Sequence, residues 1–395
     1  MDVARLCSEL VQIQSENPPG NTTEVIDFIG DYLEGIGIRG IRTRCRGGRS
    51  NLYHNSPENR LLLCGHVDVV PALAEGWTHD PASGRIEDGY VWGRGSTDMK
   101  GGVAAILRAC TDIVEAGHDL PVNLAFVCDE ETGGEYGIRY LLAKGLLTPC
   151  ECLIAEPTPP YTPCLGQKGL SRFRVDFTGE PGHGSLYPHA GVSAIMEAFS
   201  LLEYLQELNG RVYAPPPELA PIIETSAGVL GGIFGIPGIG DALRKITFNP
   251  GRIEGGEKAN IVAQKCSLVL DIRIPWGCDP EKLLAALERR APRGRIELPK
   301  EQGAPSYTSP DAPIVRETCA EIERVYGTAA YPIVQWAASD ARYLRSAGFS
   351  VVEYGPGDIL RLHAIDERVG IANLERATDI YAGLIGRFSG AGNHA

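Results

Sequence analysis

The chain has 395 residues, 43% of them hydrophobic and 22% charged, the balance of an ordinary soluble globular protein long enough for two domains. A net charge of −13 argues against a nucleic-acid partner, since phosphate binding needs a basic surface. No run approaches the ~18–20 apolar residues of a membrane span, and the eleven cysteines contain no paired C-x-x-C set, so neither a membrane role nor a disulfide or structural zinc framework is expected. The opening MDVARLCSELVQIQSENPPG carries charges throughout and does not read as a signal peptide, which points to a reducing cytoplasm. Within it, residues 2–14 pattern as an amphipathic helix ended by Asn17-Pro18-Pro19-Gly20. A second helix follows, capped by Asn21 with Glu24 three residues on, its apolar stripe formed by Val25, Phe28, Ile29, Tyr32 and Leu33.

LLLCGHVDVVP (Leu61–Pro71) reads as a short buried strand ending on His66, with Asp68 two residues later. Residues two apart in a strand share a face, so a carboxylate beside the imidazole could set which ring nitrogen holds the proton. A polar loop runs to Asp98, and 100–116 is helical, with Val103, Ile106, Leu107, Cys110, Ile113 and Val114 at helical spacing. Asn123–Glu131 is a second apolar strand that ends in acid, 136–145 is a helix, and Glu151–Thr158 is a third strand that ends in acid. Strands alternating with amphipathic helices predict an α/β fold with a largely parallel sheet.

The pattern changes at Leu170–Glu180, which alternates as a half-exposed antiparallel strand does. A helix over 191–209, a Pro- and Gly-rich loop containing GGIFGIPGIG (231–240) and strands through ANIVAQ and KCSLVLDIRIP complete an α+β layer. Alternation then resumes with a helix at 279–291, a strand near 295–298, helices at 311–326 and 338–347, the strand VVEYGP and a helix at 372–388. The expected organisation is a domain made of 1–169 and 276–395, with 170–275 inserted into it.

Three strands therefore deliver metal-type ligands at their carboxyl ends: His66 and Asp68, Glu130 and Glu131, and Glu156, with Asp98 opening the helix between the first two. In an open α/β sheet the crevice beyond those ends is where ligands bind. Several carboxylates in one crevice repel unless a cation neutralises them. A His and carboxylate set suits zinc, manganese or cobalt.

GHVDVVP, the following W-x-x-x-P, GRGSTDMKGG, DEETGGE, AEPT and a late histidine together resemble the M20 family of metallopeptidases and deacylases, over essentially the whole chain. The resemblance implies a catalytic α/β domain and an inserted ferredoxin-like domain serving dimerisation and as a lid. It implies two divalent ions per chain, zinc first, with cobalt or manganese accepted. His66 and Glu156 would hold one ion, Glu131 and His363 the other, and Asp98 would bridge both, often with a cis peptide after it. Asp68 would orient the His66 ring, and Glu130 would be the general acid and base. Since adjacent residues of an extended chain point opposite ways, only one of Glu130 and Glu131 need face the ions. His183 would supply an oxyanion donor to the partner subunit of a homodimer. Asn260 and Arg273 would hold the substrate, Arg273 through its carboxylate, and Ser339, Asp340 and Gly355 would line the pocket. The implied reaction is hydrolysis of an N-acyl amino acid of the acetylornithine or succinyl-diaminopimelate kind. The alternatives are a dipeptidase or carboxypeptidase acting on short peptides, and an inactive metal-binding or assembly protein, against which the intact ligand set argues. The segment around GGIFGIPGIG departs from the compact members of the family.

Overall fold

The computed structural model describes residues 1–298 and 302–389. They form two compact units, one of Met1–Leu165, Tyr307–Ile333 and the chain from Ser339 onward, the other of Gly166–Ser306 and Val334–Ala338.

The first unit is α/β. Six strands of its mixed sheet run in the order Ile41–Arg44, Ser50–His54, Asn123–Val127, Leu61–His66, Glu151–Ile154 and Ser350–Glu353, and the sheet continues past the last of them through Cys164–Gln167, paired antiparallel. The last four of these six strands are mutually parallel, and the first two are added antiparallel at one edge. Every residue of Leu61–His66 is buried, as expected of a central parallel strand covered on both faces. Register aligns His66 with Val127 and Cys64 with Ile154, so the strands carrying His66, Glu130, Glu131 and Glu156 end at one level. The helices Gly101–Glu115 and Ile371–Phe388 pack against each other in this unit, burying Val103, Ile106 and Leu107 on one and Leu374, Tyr381 and Leu384 on the other.

The second unit is a separate antiparallel sheet with helices on one face. Strands run in the order Thr247–Gly255, Lys265–Ile274, Gly169–Thr178 and Gly294–Glu297. Helices Ala194–Asn209 and Pro280–Arg290 cover the sheet through Phe173, Val175, Phe177, Leu201, Leu205, Leu268, Leu270 and Leu287. With helix Ala220–Phe234 set aside as an addition after the first helix, the chain order is strand, helix, strand, strand, helix, strand, the ferredoxin-like arrangement. Helix Pro280–Arg290 and strand Gly294–Glu297 therefore belong to this unit, past the boundary expected at 275, because Leu283 and Leu287 complete its core.

Two local expectations fail here. The Pro- and Gly-rich stretch is helical over Ala220–Phe234, with proline in its first turn and Gly235 closing it in the left-handed region. Gly228, Gly231 and Gly232 lower its intrinsic helicity, and burial of Ile223, Ser226 and Leu230 overrides that. The missing strand of this layer is Thr247–Gly255 and not ANIVAQ. It contains Asn249-Pro250-Gly251, which reads as a turn, but an edge strand with a bulge between Pro250 and Arg252 tolerates proline.

Helix Gly101–Glu115 approaches the end of the Glu156 strand so closely that a Cβ at Gly102 would lie 2.3 Å from the Ala155 carbonyl oxygen. Gly102→Ala is expected to destabilise the first unit by about 1–3 kcal/mol through overpacking, read as a lower urea midpoint of unfolding.

Candidate active site

At the carboxyl ends of the parallel strands, two histidines and three carboxylates converge. His66 Nε2 lies 3.0 Å from Asp98 Oδ1 and 3.7 Å from Glu156 Oε1. His363 Nε2 lies 3.1 Å from Asp98 Oδ2 and 3.5 Å from Glu131 Oε2. The two triads, His66–Asp98–Glu156 and Asp98–Glu131–His363, each bring their donor atoms within 4.8 Å of one another. They share Asp98, which turns one oxygen to each imidazole. His66 is 2% exposed and the His363 side chain 50%, so the first triad is the more buried and the second is the more open.

Four of the five ligands have a local support. The His66 ring is held at Nδ1 by the backbone carbonyl of Asp68 at 2.9 Å, whereas the Asp68 carboxylate stands 3.7 Å away. A carbonyl only accepts, so Nδ1 carries a proton, and Nε2, turned to Asp98 Oδ1, is the ring atom that would ligate an ion. The expected orientation of the ring by the Asp68 carboxylate is thus corrected: the carbonyl orients it. The buried Asp68 carboxylate instead accepts from the backbone N–H groups of Glu130 at 3.2 Å and Glu131 at 3.3 Å. The peptide from Asp98 to Met99 is cis. Glu367, fully buried, accepts from the N–H groups of Thr97 at 2.9 Å and Asp98 at 3.1 Å and pairs with Arg94. Arg94 also donates to the His363 carbonyl at 3.2 Å. Burial pushes the Glu367 carboxyl up to about 7 even with Arg94 beside it.

Glu130 and Glu131 lie in a one-turn 3-10 helix, Glu130–Thr132, entered through Asp129 at φ 68°. They are not extended, so the alternation expected to separate them does not apply. Glu131 ion-pairs with His363, and Glu130 contributes to neither triad.

The electrostatics are those of a cation cradle. Burial opposes the charge on Asp98, but hydrogen bonds from His363 and His66 outweigh it and hold its carboxyl well below the usual range. Burial raises Glu130 and Glu156 well above the ordinary carboxylate value, and neighbouring acids add to the rise in both. Hydrogen bonds to Asp98 and Glu131 push His363 up to about 10. The protein alone therefore keeps protons among these groups, which a divalent cation would displace. Glu131 Oε1 is buried without a hydrogen-bond partner, the position of an oxygen kept for a ligand. The donor set fits a pair of divalent ions, His66, Asp98 and Glu156 holding one and Asp98, Glu131 and His363 the other.

The other expected site residues belong to neither triad. In the second unit, His183 is exposed and its loop is joined to the Asn260 loop by a bond from Gly184 N–H to the Asn260 carbonyl at 2.9 Å. Arg273 is engaged by Asp271, its Nε 2.7 Å from Oδ1. In the first unit, Ser339 is buried and donates to Glu353 at 2.5 Å. A Cβ at Gly355 would lie 2.1 Å from the Ala155 carbonyl oxygen, so this glycine allows close packing of two strand ends. Asp340 is buried, which pushes its carboxyl up to about 7. Sequence reading missed Arg94 and Glu367, which bond backbone groups of His363 and Asp98, and Asn17 and Asp129, whose side chains bond each other beside the Glu130–Thr132 turn. Arg94 and Glu367 do lie inside the GRGSTD and RLHAIDERV stretches, the only signal they gave.

Two ligand triads sharing a carboxylate at the ends of parallel strands are the chemistry of a two-cation hydrolytic centre. Residues 62–387 match the peptidase family M20/M25/M40, and the chain belongs to that family of metallohydrolases, whose membership implies a dinuclear metal site. It is 30% identical over 356 residues to a succinyl-diaminopimelate desuccinylase of Helicobacter hepaticus, covering 86% of this chain and 81% of that one. It is 30% identical over 382 residues to an acetylornithine deacetylase of Proteus mirabilis, covering 92% and 89%. Its fold is similar to that of an M20 family metallo-carboxypeptidase from Sulfolobus solfataricus, with a TM-score of 0.80, 20% identity and coverage of 98% and 99%. Among the described residues no helix is long and apolar enough to cross a membrane.

Two variants probe this frame. Asp98→Ala removes the shared ligand and is expected to abolish retention of both ions, as measured by metal analysis after dialysis. Arg94→Leu leaves Glu367 buried without its cation and should destabilise the first unit by about 3–5 kcal/mol, seen in denaturant unfolding.

Proposed function

We propose that this protein hydrolyses the amide bond of an N-acyl amino acid. The observation that carries the reading is Glu130, a buried acid that ligates in neither triad yet sits in the turn beside Glu131. The relatives named as desuccinylase and deacetylase, matched over most of their length, support the acyl class. Zinc is the ion we assign, with cobalt and manganese compatible with the same donors.

The bound ions would supply Lewis-acid polarisation of the amide carbonyl and acidification of water. Glu130 takes the proton from the attacking water and delivers it to the leaving amine nitrogen, a task suited to a carboxyl whose burial raises its proton affinity. Asp68 holds the turn that aims Glu130, through the N–H groups of both glutamates. His183 is the oxyanion donor in this reading. Its Nδ1 accepts from the Ser185 N–H at 3.3 Å and lies 2.7 Å from the Ser185 hydroxyl, which leaves Nε2 to carry the proton outward. Asn260 and Arg273 orient the substrate, the Arg273 guanidinium donating to the substrate's carboxylate.

His183 acts on a neighbouring copy in a homodimer formed through the second unit. Two features of that unit support such a partner. The edge strand Thr247–Gly255 is exposed over Asn249–Gly255, and Ile195, Met196 and Phe199 are exposed on helix Ala194–Asn209.

The test is amine release from N-acetylornithine, N-succinyl-diaminopimelate, other N-acetyl amino acids and dipeptides, with zinc or cobalt and a chelated control. Metal-dependent turnover of an acyl compound is expected, and turnover of dipeptides alone would move the activity to the peptidases. Glu130→Gln should lower kcat by about 10²–10⁴-fold with the ion content unchanged, and loss of ions instead would overturn the division of roles between Glu130 and Glu131. A monomer that keeps full activity in sedimentation-matched assays would remove the cross-subunit role of His183.

A further inference from the structure

We propose that Asn17, in the N-P-P-G stretch, is a positioning residue for the Glu130–Glu131 turn, acting through the carboxylates of Asp68 and Asp129. That those glutamates serve catalysis and ion binding rests on the function proposed above. The placement of the turn does not.

The segment Ser15–Asn17 runs beside Val67–Val69. Ser15 Oγ donates to the Val67 carbonyl at 2.6 Å, Val69 N–H to the Ser15 carbonyl at 3.1 Å, and Asn17 N–H to the Val69 carbonyl at 2.8 Å. Asn17 is thereby attached to the chain that carries His66 and Asp68. Its side chain is buried, and Nδ2 lies 2.9 Å from Asp68 Oδ2, 3.1 Å from Asp129 Oδ1 and 3.0 Å from Thr132 Oγ1. Asp68 in turn accepts from the Glu130 and Glu131 N–H groups. Asp129 enters the same turn and accepts from Tyr136 N–H at 3.1 Å, the Thr132 hydroxyl at 2.7 Å and Arg49 Nε at 3.0 Å.

The chemistry explains the residue type. Two buried carboxylates approach one point, and a neutral amide with two N–H groups satisfies both without adding charge. Aspartate there would add a third anion, and alanine would leave the two acids without a donor between them. Gly20 completes the motif. At φ 83°, a Cβ on it would stand 2.8 Å from Asn17 Oδ1 and 3.1 Å from the Arg49 guanidinium carbon, so glycine lets both side chains keep their places.

Hydrogen exchange of the metal-free protein, followed by mass spectrometry in Asn17→Ala and the near-isosteric Asn17→Asp, tests this directly. Exchange at the Glu130 and Glu131 amides is expected to rise at least about tenfold with the rest of the chain unchanged. Titration with cobalt alone should show one of the two equivalents weakened by about 10–100-fold, and kcat should fall while KM is retained. Unchanged exchange over 128–134, or equal acceleration throughout the chain, overturns the proposal. If neither variant folds, Thr132→Ala removes one of the three contacts, and the same local but smaller acceleration is required of it. A wild-type protein that takes up fewer than two cobalt ions would defeat the two-ion reading, while the exchange experiment would still decide the role of Asn17.

Discussion

The mutual repulsion of carboxylates at the ends of parallel strands is the constraint around which the first unit is organised. Asp98, Glu130, Glu131 and Glu156 crowd two imidazoles in a largely buried crevice, where like charges are least screened. Asp98 relieves part of this by facing one oxygen to each histidine. A divalent ion in each triad would relieve the rest. Such a cluster cannot hold its own geometry. It must be imposed by groups bonded to the backbone around it.

That imposition has a common form. Glu367 grips the N–H of Asp98, Asp68 grips the N–H groups of Glu130 and Glu131, and the Asp68 carbonyl grips the ring of His66. In each case a buried acceptor holds a backbone or ring N–H and leaves the ligating atom unencumbered. Arg94 joins two of the ligands from outside, bonding the acid that holds Asp98 and the carbonyl of His363. The late position of His363 is then a matter of connectivity. The chain leaves the first unit after Leu165, builds the antiparallel unit and returns to supply the last donor.

The second unit shows where local signals mislead. Its strand, helix, strand, strand, helix, strand order was legible in part, because Gly169–Thr178 and Lys265–Ile274 alternate cleanly. Helix Ala220–Phe234 and edge strand Thr247–Gly255 were not legible. Glycine and proline are turn formers in isolation, yet packing of Ile223 and Leu230 and the tolerance of an edge for a bulge reverse that preference. The extent of the unit was misjudged for a similar reason. Helix Pro280–Arg290 resembles any amphipathic helix, and only the partner of its apolar face assigns it to one core or the other.

By itself, the sequence determined the α/β class, the strand ends that carry His66, Glu130, Glu131 and Glu156, and the ligand types of the centre. Those are local properties: burial makes a parallel strand continuously apolar, and the abrupt arrival of charge marks its end. The pairing of those ligands came from the family resemblance and not from the residues themselves, since physically it depends on strand register and on which oxygen of Asp98 meets which ring. The roles of Arg94, Asp68 and Glu367 were decided only in three dimensions. Their work is done through hydrogen bonds to backbone atoms as many as 270 positions away, as from Glu367 to Thr97, and a backbone N–H is the same at every residue, so no side-chain pattern records which one is held.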